Sequence, residues 1–259
     1  MADFLGKMAD LSRERCKRAQ KRRTHTAWVR LASERPSPRP LALRPGKLEV
    51  IAEIKRRAPS AGLLNAAVDV AAQARAYEGA GACAISVLTE PTEFLGRDED
   101  VSLAAASVQT PVMRKDFLVD AFQVMEARAM GADGVLLIAA ILPGPELAQM
   151  LAAAHDAGLF ALVEAFDAGD IAHALAAGAT YIGVNCRNLR DLSVEFARFE
   201  LLRRHIPSGV HAIAESGIKS AADFARVREL GYDAALIGSA LMESGDAREA
   251  LNRLRGISG

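Results

Sequence analysis

From Leu48 onward the chain alternates short apolar runs with amphipathic segments, eight of each and in strict order. The apolar runs cover 48–54, 82–88, 111–115, 134–139, 160–164, 181–185, 210–215 and 234–238. The amphipathic segments cover 67–79, 98–107, 120–130, 145–157, 168–177, 195–205, 220–230 and 246–255. Runs such as Gly134-Val135-Leu136-Leu137-Ile138 are apolar at every position, as expected of strands buried on both faces of a parallel sheet. Several amphipathic segments end in Gly, at Gly79, Gly131, Gly158, Gly178 and Gly231, where a helix C-terminus favours it. Eight βα units in 259 residues match the size of a closed barrel better than an open sheet. The predicted fold is α/β, a single (β/α)8 TIM barrel over 48–259, with residues 1–47 as an N-terminal helical extension of that barrel and not a separate domain.

Within the extension, Phe4, Leu5, Met8 and Leu11 recur at helical spacing and predict an amphipathic helix over 3–23. Pro36, Pro38, Pro40 and Pro45 exclude a regular helix over 34–46. Trp28 reads as a packing residue.

Lys plus Arg equals Asp plus Glu at 32 each, so no charge excess calls for nucleic acid or a membrane surface as partner. No apolar run reaches the length of a membrane span. Cys16, Cys83 and Cys186 are odd in number and lack metal-ligand spacing, which points to a reducing compartment. With a charged N-terminus unlike a secretory signal, the expectation is a cytoplasmic protein, a monomer or weak homo-oligomer.

Five strands end in ionisable residues at the same end. Val50-Ile51-Ala52 runs into Glu53 and Lys55, Pro111-Val112-Met113 into Arg114-Lys115-Asp116, and Phe160 to Val163 into Glu164. Tyr181 to Val184 runs into Asn185-Cys186-Arg187, and His211 to Ala214 into Glu215-Ser216-Gly217. Active sites of parallel α/β folds lie at the carboxyl ends of the strands. Side chains two apart on a strand share a direction, so Glu53, Lys55, Lys115, Glu164, Arg187 and Glu215 meet in one mouth if that direction is the barrel axis. Three positive and three negative groups then pair, as buried charges must, and such a cluster suits acid–base chemistry. A purely structural ion-pair network at the rim is the alternative. Cys186 faces away from Asn185 and Arg187, into the barrel–helix layer.

The segments Glu215-Ser216-Gly217-Ile218 and Ile237-Gly238-Ser239-Ala240 follow strands seven and eight. These loops are the frequent phosphate site of barrels, and small residues let backbone N–H groups approach an anion. Ordinary turn glycines are the alternative. None of His25, His155, His173, His205 and His211 falls at a strand carboxyl end, so histidine catalysis and a histidine metal site are both disfavoured. There is no Gly-x-Gly-x-x-Gly dinucleotide signature.

These residues together resemble the indole-3-glycerol phosphate synthase family. The resemblance is carried by Ile51-Ala52-Glu53-Ile54-Lys55-Arg56-Arg57-Ala58-Pro59-Ser60, Ser86-Val87-Leu88-Thr89-Glu90 and Phe94-Leu95-Gly96. It continues through Pro111 to Phe117, Glu126 to Asp133, Leu162-Val163-Glu164, Gly183-Val184-Asn185-Cys186-Arg187-Asn188-Leu189, Ala214 to Ile218 and Leu236 to Met242. The resemblance implies a cofactor-free and metal-free ring closure of a small phosphorylated substrate, 1-(2-carboxyphenylamino)-1-deoxyribulose 5-phosphate. Decarboxylation and dehydration would give indole-3-glycerol phosphate, in tryptophan biosynthesis or a related secondary pathway. It implies Lys115 as general acid, Glu164 and Lys55 as a second acid–base pair, and Glu53 and Glu215 as partners of the lysines and of substrate hydroxyls. Asn185, Arg187 and Ser216 would position the substrate. Phe94, Phe117, Leu136 and Leu189 would form the aryl slot, and Lys55, Gly217, Gly238 and Ser239 would hold the phosphate. The chain departs from the family's usual residues at Ala58, Phe166 and Cys186. A sugar-phosphate isomerase on the same fold would need one acid and one base, not two lysines backed by three glutamates. A non-catalytic ligand-binding barrel would have no use for both Lys115 and Glu164.

Overall fold

The computed structural model describes residues 4–59, 62–188 and 193–257. Eight parallel strands close into one barrel: β1 (Glu49–Ile54), β2 (Ala84–Leu88), β3 (Val112–Lys115), β4 (Gly134–Ile138), β5 (Phe160–Ala165), β6 (Tyr181–Asn185), β7 (His211–Glu215) and β8 (Ala234–Ile237). β1 pairs with both β2 and β8, which completes the ring. The register aligns Glu53 with Ser86, Leu88 with Lys115, Ile138 with Glu164, and Asn185 with Glu215. Paired residues share a face, so this alignment sets one inward-facing stripe around the whole barrel.

The barrel's own helices are α3 (Val70–Gly79), α4 (Glu99–Ala105), α5 (Ala121–Met130), α6 (Glu146–Asp156), α7 (Ala168–Ala176), α8 (Arg198–Arg203), α9 (Ala221–Glu229) and α11 (Ala247–Arg255), with α10 (Ser239–Met242) inserted after β8. Each falls within its predicted segment except α10, which the pattern does not announce. Aspartates or a serine cap several of them, such as Asp69, Asp120, Asp167, Ser220 and Asp246, each accepting a backbone N–H of the first turn. A two-residue antiparallel pairing of Arg57–Ala58 with Gly62–Leu63 follows β1, and a 3-10 turn, Ala139–Ile141, follows β4.

The extension holds two helices, α1 (Phe4–Arg22) and α2 (His25–Ser33). α2 was not legible as a separate helix. Thr24 caps it by accepting from Ala27 N, and Trp28 meets Phe122 of α5 edge-on at 6.1 Å. α1 runs along the carboxyl-end rim: Lys7 pairs with Glu93 at 2.8 Å, Arg15 with Asp116 at 2.6 Å, and Gln123 Nε2 donates to Ser12 Oγ at 2.9 Å.

The proline-containing segment then passes under the barrel's amino end. Arg39 donates to Asp133 from its backbone N at 2.7 Å and from Nη2 at 2.6 Å, and to the Val108 carbonyl at 2.6 Å. Tyr181 donates its hydroxyl to the Leu41 carbonyl at 3.0 Å. Arg44 pairs with the buried Glu49. Above this segment, at the base of the barrel, Tyr181 stacks on His211 with ring centres 5.2 Å apart and meets Phe160 edge-on at 6.2 Å. A Cβ on Gly134 would fall on the Phe160 ring, so the bare glycine makes room for that ring.

Asp133 also accepts from Val112 N at 2.7 Å, so one carboxylate ties the extension to two barrel strands. Asp133→Ala leaves Val112 N, Arg39 N and the guanidinium without their acceptor. It should cost about 1–3 kcal/mol, more than Arg39→Ala, whose side chain is partly exposed. Denaturant melts of the two variants check the order.

Candidate active site

The inward stripe becomes charged at the carboxyl end of the barrel. Fourteen of the residues expected at the site line one cavity that opens to solvent. They are Glu53, Lys55, Phe94, Lys115, Phe117, Leu136, Glu164, Asn185, Arg187, Glu215, Ser216, Gly217, Gly238 and Ser239. Leu189 lies outside the described residues.

At the centre, Lys115 Nζ donates to Glu164 Oε2 at 3.1 Å and to Glu215 Oε2 at 3.2 Å. Lys55 Nζ pairs with Glu53 Oε1 at 2.6 Å. All three glutamates are buried. Burial by itself would push the Lys115 ammonium toward losing its proton, but Glu215, Glu164 and Glu53 outweigh it and hold the pKa above the ordinary lysine value. Burial pushes the Glu215 carboxyl up to about 8; Lys115 opposes this, while Glu164 and Glu53 add to it. Three carboxyls around two ammonium groups leave one carboxyl that burial can keep protonated.

Asn185 Oδ1 accepts from Arg187 N at 2.9 Å, so the two residues share one loop geometry after β6. The loops after β7 and β8 both line the cavity, and the β8 loop passes beside Lys55. Ser216 and Gly217 both have positive φ, 68° and 72°, and Ser216 is one of only two non-glycine residues with positive φ among the described residues. Such a conformation costs about 1–3 kcal/mol for a non-glycine residue and clusters at functional sites. A Cβ on Gly238 would lie 2.8 Å from Lys55 Nζ and 3.0 Å from Glu53 Cδ, so the glycine gives that ion pair its space.

Opposite, the β2, β3 and β4 ends present an apolar wall. Phe94 and Phe117 lie 6.3 Å apart, and Phe4 of α1 meets Phe117 edge-on at 6.3 Å. Two acids hold this wall. Glu90 accepts from the backbone N of Thr92, Glu93 and Phe94 at 2.9, 2.6 and 3.2 Å. Asp116 accepts from Phe117 N at 2.7 Å and from Thr89 Oγ1 at 2.8 Å. Arg15 of α1 contacts both acids, at 3.4 and 2.6 Å.

Sequence reasoning missed Phe4, Arg15 and Glu90 as parts of the site. Phe4 and Arg15 are remote in sequence, and only the helix route brings them to the rim. Glu90 lies two residues past β2 in a segment the resemblance did quote. Arg114 points outward from β3 and is fully buried among Glu126, Asp98 and Thr89. Cys186 is buried in the core, its Sγ against Gly217, and is not among the residues lining the cavity. Phe166 lies under the Arg198 guanidinium, 3.9 Å from the ring centre. His211 sits at the opposite end of the barrel, 3.6 Å from Asp233; His155 and His205 are exposed and His173 is half-buried. Among the described residues no helix is long and apolar enough to cross a membrane, and no group of three His, Cys, Asp or Glu could hold a metal ion.

A closed parallel barrel with paired lysines and glutamates at its carboxyl mouth defines a (β/α)8-barrel enzyme. A family model for indole-3-glycerol phosphate synthase matches residues 5–254. Indole-3-glycerol phosphate synthase of Parafrankia sp. is 45% identical over 233 residues, covering 89% of this chain and 87% of its own. That of Chlorobium phaeovibrioides is 44% identical, covering 89% and 91%. The chain belongs to the indole-3-glycerol phosphate synthase family. Thiamine phosphate pyrophosphorylase from Pyrococcus furiosus shares the fold, with a TM-score of 0.62 at 21% identity over 82% of this chain and 95% of that one.

Glu215 binds its proton more tightly in the folded protein than in the unfolded chain, so its contribution to stability is complete below its ordinary value of 4.5 and is lost as pH rises through about 8. Lys115, with a raised pKa, stays charged across that window and adds no slope. The stability of the wild type relative to Glu215→Gln should therefore fall between pH 4.5 and 8 and level off above. A difference that stays flat or rises there, in melts at stepped pH, would contradict the raised carboxyl.

Proposed function

We propose that this protein closes the indole ring of 1-(2-carboxyphenylamino)-1-deoxyribulose 5-phosphate to give indole-3-glycerol phosphate, carbon dioxide and water. The observation that carries the residue assignment is the placement of Lys115. Its ammonium stands between Glu164 and Glu215, with the aromatic wall of β2–β4 on one side and the small-residue loops of β7 and β8 on the other.

The wall of Phe94, Phe117 and Leu136, extended by Phe4, takes the aryl ring. The loops at Gly217, Gly238 and Ser239 take the phosphate together with Lys55. The substrate ketone then falls near Lys115. The electron-rich aryl carbon attacks the ketone carbon, a C–C bond forms, and the carbonyl electrons become an alkoxide. An alkoxide is more basic than a lysine amine, so a lysine kept charged among the glutamates of the mouth can protonate it. Loss of carbon dioxide returns the C–C electron pair to the ring. Departure of the new hydroxyl as water needs a second acid–base pair, supplied by Glu164 and Lys55. Glu53 and Glu215 hold the lysines in place and meet the substrate's hydroxyls, and Asn185, Arg187 and Ser216 set its orientation. The extension and the barrel act as one catalytic unit, because Phe4 and Arg15 reach the mouth. The three cysteines are free, in keeping with a cytoplasmic location.

Lys115→Ala should lower kcat by roughly 10²–10⁴-fold while substrate binding largely survives. Indole fluorescence under steady-state conditions reads this, and a variant within a few-fold of wild type would remove Lys115 from the acid role. Ala58 is buried and lines the cavity beside Lys55. Ala58→Ser adds a hydroxyl within reach of the substrate's anionic groups and should lower KM, by up to the roughly 1.5–3 kcal/mol of a charged hydrogen bond. A higher KM would mean that Ala58 makes room for a different substrate group.

A further inference from the structure

The inner wall of the barrel has a gap at Gly183. The register pairs Gly183 with Glu164 of β5 and with Ile213 of β7, two residues before Glu215. Gly183 therefore faces the barrel axis between two glutamates of the site. A Cβ built on Gly183 would overlap Glu215 Oε1 and lie 2.9 Å from its Cδ. The Glu215 side chain thus lies across the bare Cα of the neighbouring strand. One of its oxygens, Oε2, accepts from Lys115 at 3.2 Å. The other, Oε1, is buried with no hydrogen-bond partner among the described residues and sits directly over the glycine.

The backbone itself does not demand glycine here. Gly183 is not among the residues with positive φ, and glycine weakens a strand interior. The requirement is steric and concerns one carboxylate. We propose that Gly183 is a positioning residue for the ring closure: its missing side chain is the slot that lets Glu215 lie across β6 and reach Lys115. The inference rests on the assignment of Lys115 and Glu215 to the reaction.

A methyl at this position meets the far end of a flexible side chain, so the fold can accommodate it by moving the carboxylate. The carboxylate then either leaves Lys115 or intrudes on the substrate's space. A displacement of about 1 Å in a reacting constellation can cost on the order of 10²-fold in rate.

Gly183→Ala should fold with a Tm close to wild type and lose tenfold or more in kcat, with KM changed much less. In the pH profile of kcat/KM, the group that burial raises should move down, because the displaced carboxyl is wetter. Glu215→Ala removes the atom the methyl would strike. In that background the Gly183→Ala change should cost nothing further, read at enzyme concentrations high enough to measure the residual rate.

If Glu215→Ala is impaired while Gly183→Ala loses less than tenfold, or if the two losses multiply, the slot is overturned and the catalytic reading stands. A Glu215→Ala enzyme at wild-type rate overturns both. Should Gly183→Ala fail to fold, the double variant decides. Folding like Glu215→Ala supports the clash, and failure to fold puts the glycine requirement elsewhere and overturns the inference.

Discussion

The ammonium of Lys115, held inside the barrel mouth by Glu164 and Glu215, is the interaction around which the rest of the structure is arranged. Taking such charges out of water costs several kcal/mol each unless they are paired with good geometry. The pairing here depends on strand register, because the three residues come from three strands of the barrel. A slip of one residue in any of them would turn its charged group into the helix layer. The hydrogen-bonded closure of all eight strands is what holds that register.

β3 shows how much is asked of one strand. Lys115 faces the axis, and its neighbour Arg114 faces outward into a buried network with Glu126, Asp98 and Thr89. The Arg114 guanidinium stays charged despite full burial because Asp98, Glu126 and Asp116 offset the desolvation. Asp116, next in sequence, ties the strand end to Thr89, to Phe117 N and to Arg15 of the extension. Adjacent residues of one strand thus supply the proton donor, the anchor behind it and the link to the rim. The extension does two physical jobs, bracing the aromatic wall at the top through Arg15 and sealing the base through Arg39, Leu41 and Arg44.

The alternation of strand and helix was readable because each element carries its own period, and the barrel elements fall where that period placed them. Glu53, Lys55, Lys115, Glu164 and Glu215 were readable as one site because a parallel barrel gathers strand carboxyl ends whatever the intervening sequence. α2 was not readable, since a nine-residue helix between a charged segment and a proline-rich one shows too little periodicity. Phe4 looked like an ordinary member of an apolar stripe, and nothing local distinguishes a stripe that covers a mouth from one that covers a core. Gly183 looked like one more small residue in an apolar run, and its neighbour Glu215 is far along the chain.

The sequence by itself determined the fold class, the number and direction of the strands and the set of ionisable groups that share the mouth, since these follow from local periodicity and from alternation of side chains along a strand. Only the tertiary structure decided which acid pairs with which lysine, which carboxyl burial leaves protonated, where the extension crosses the barrel, and why glycine stands at 183. Those features depend on distances and desolvation between residues remote in sequence, and no local pattern encodes either quantity.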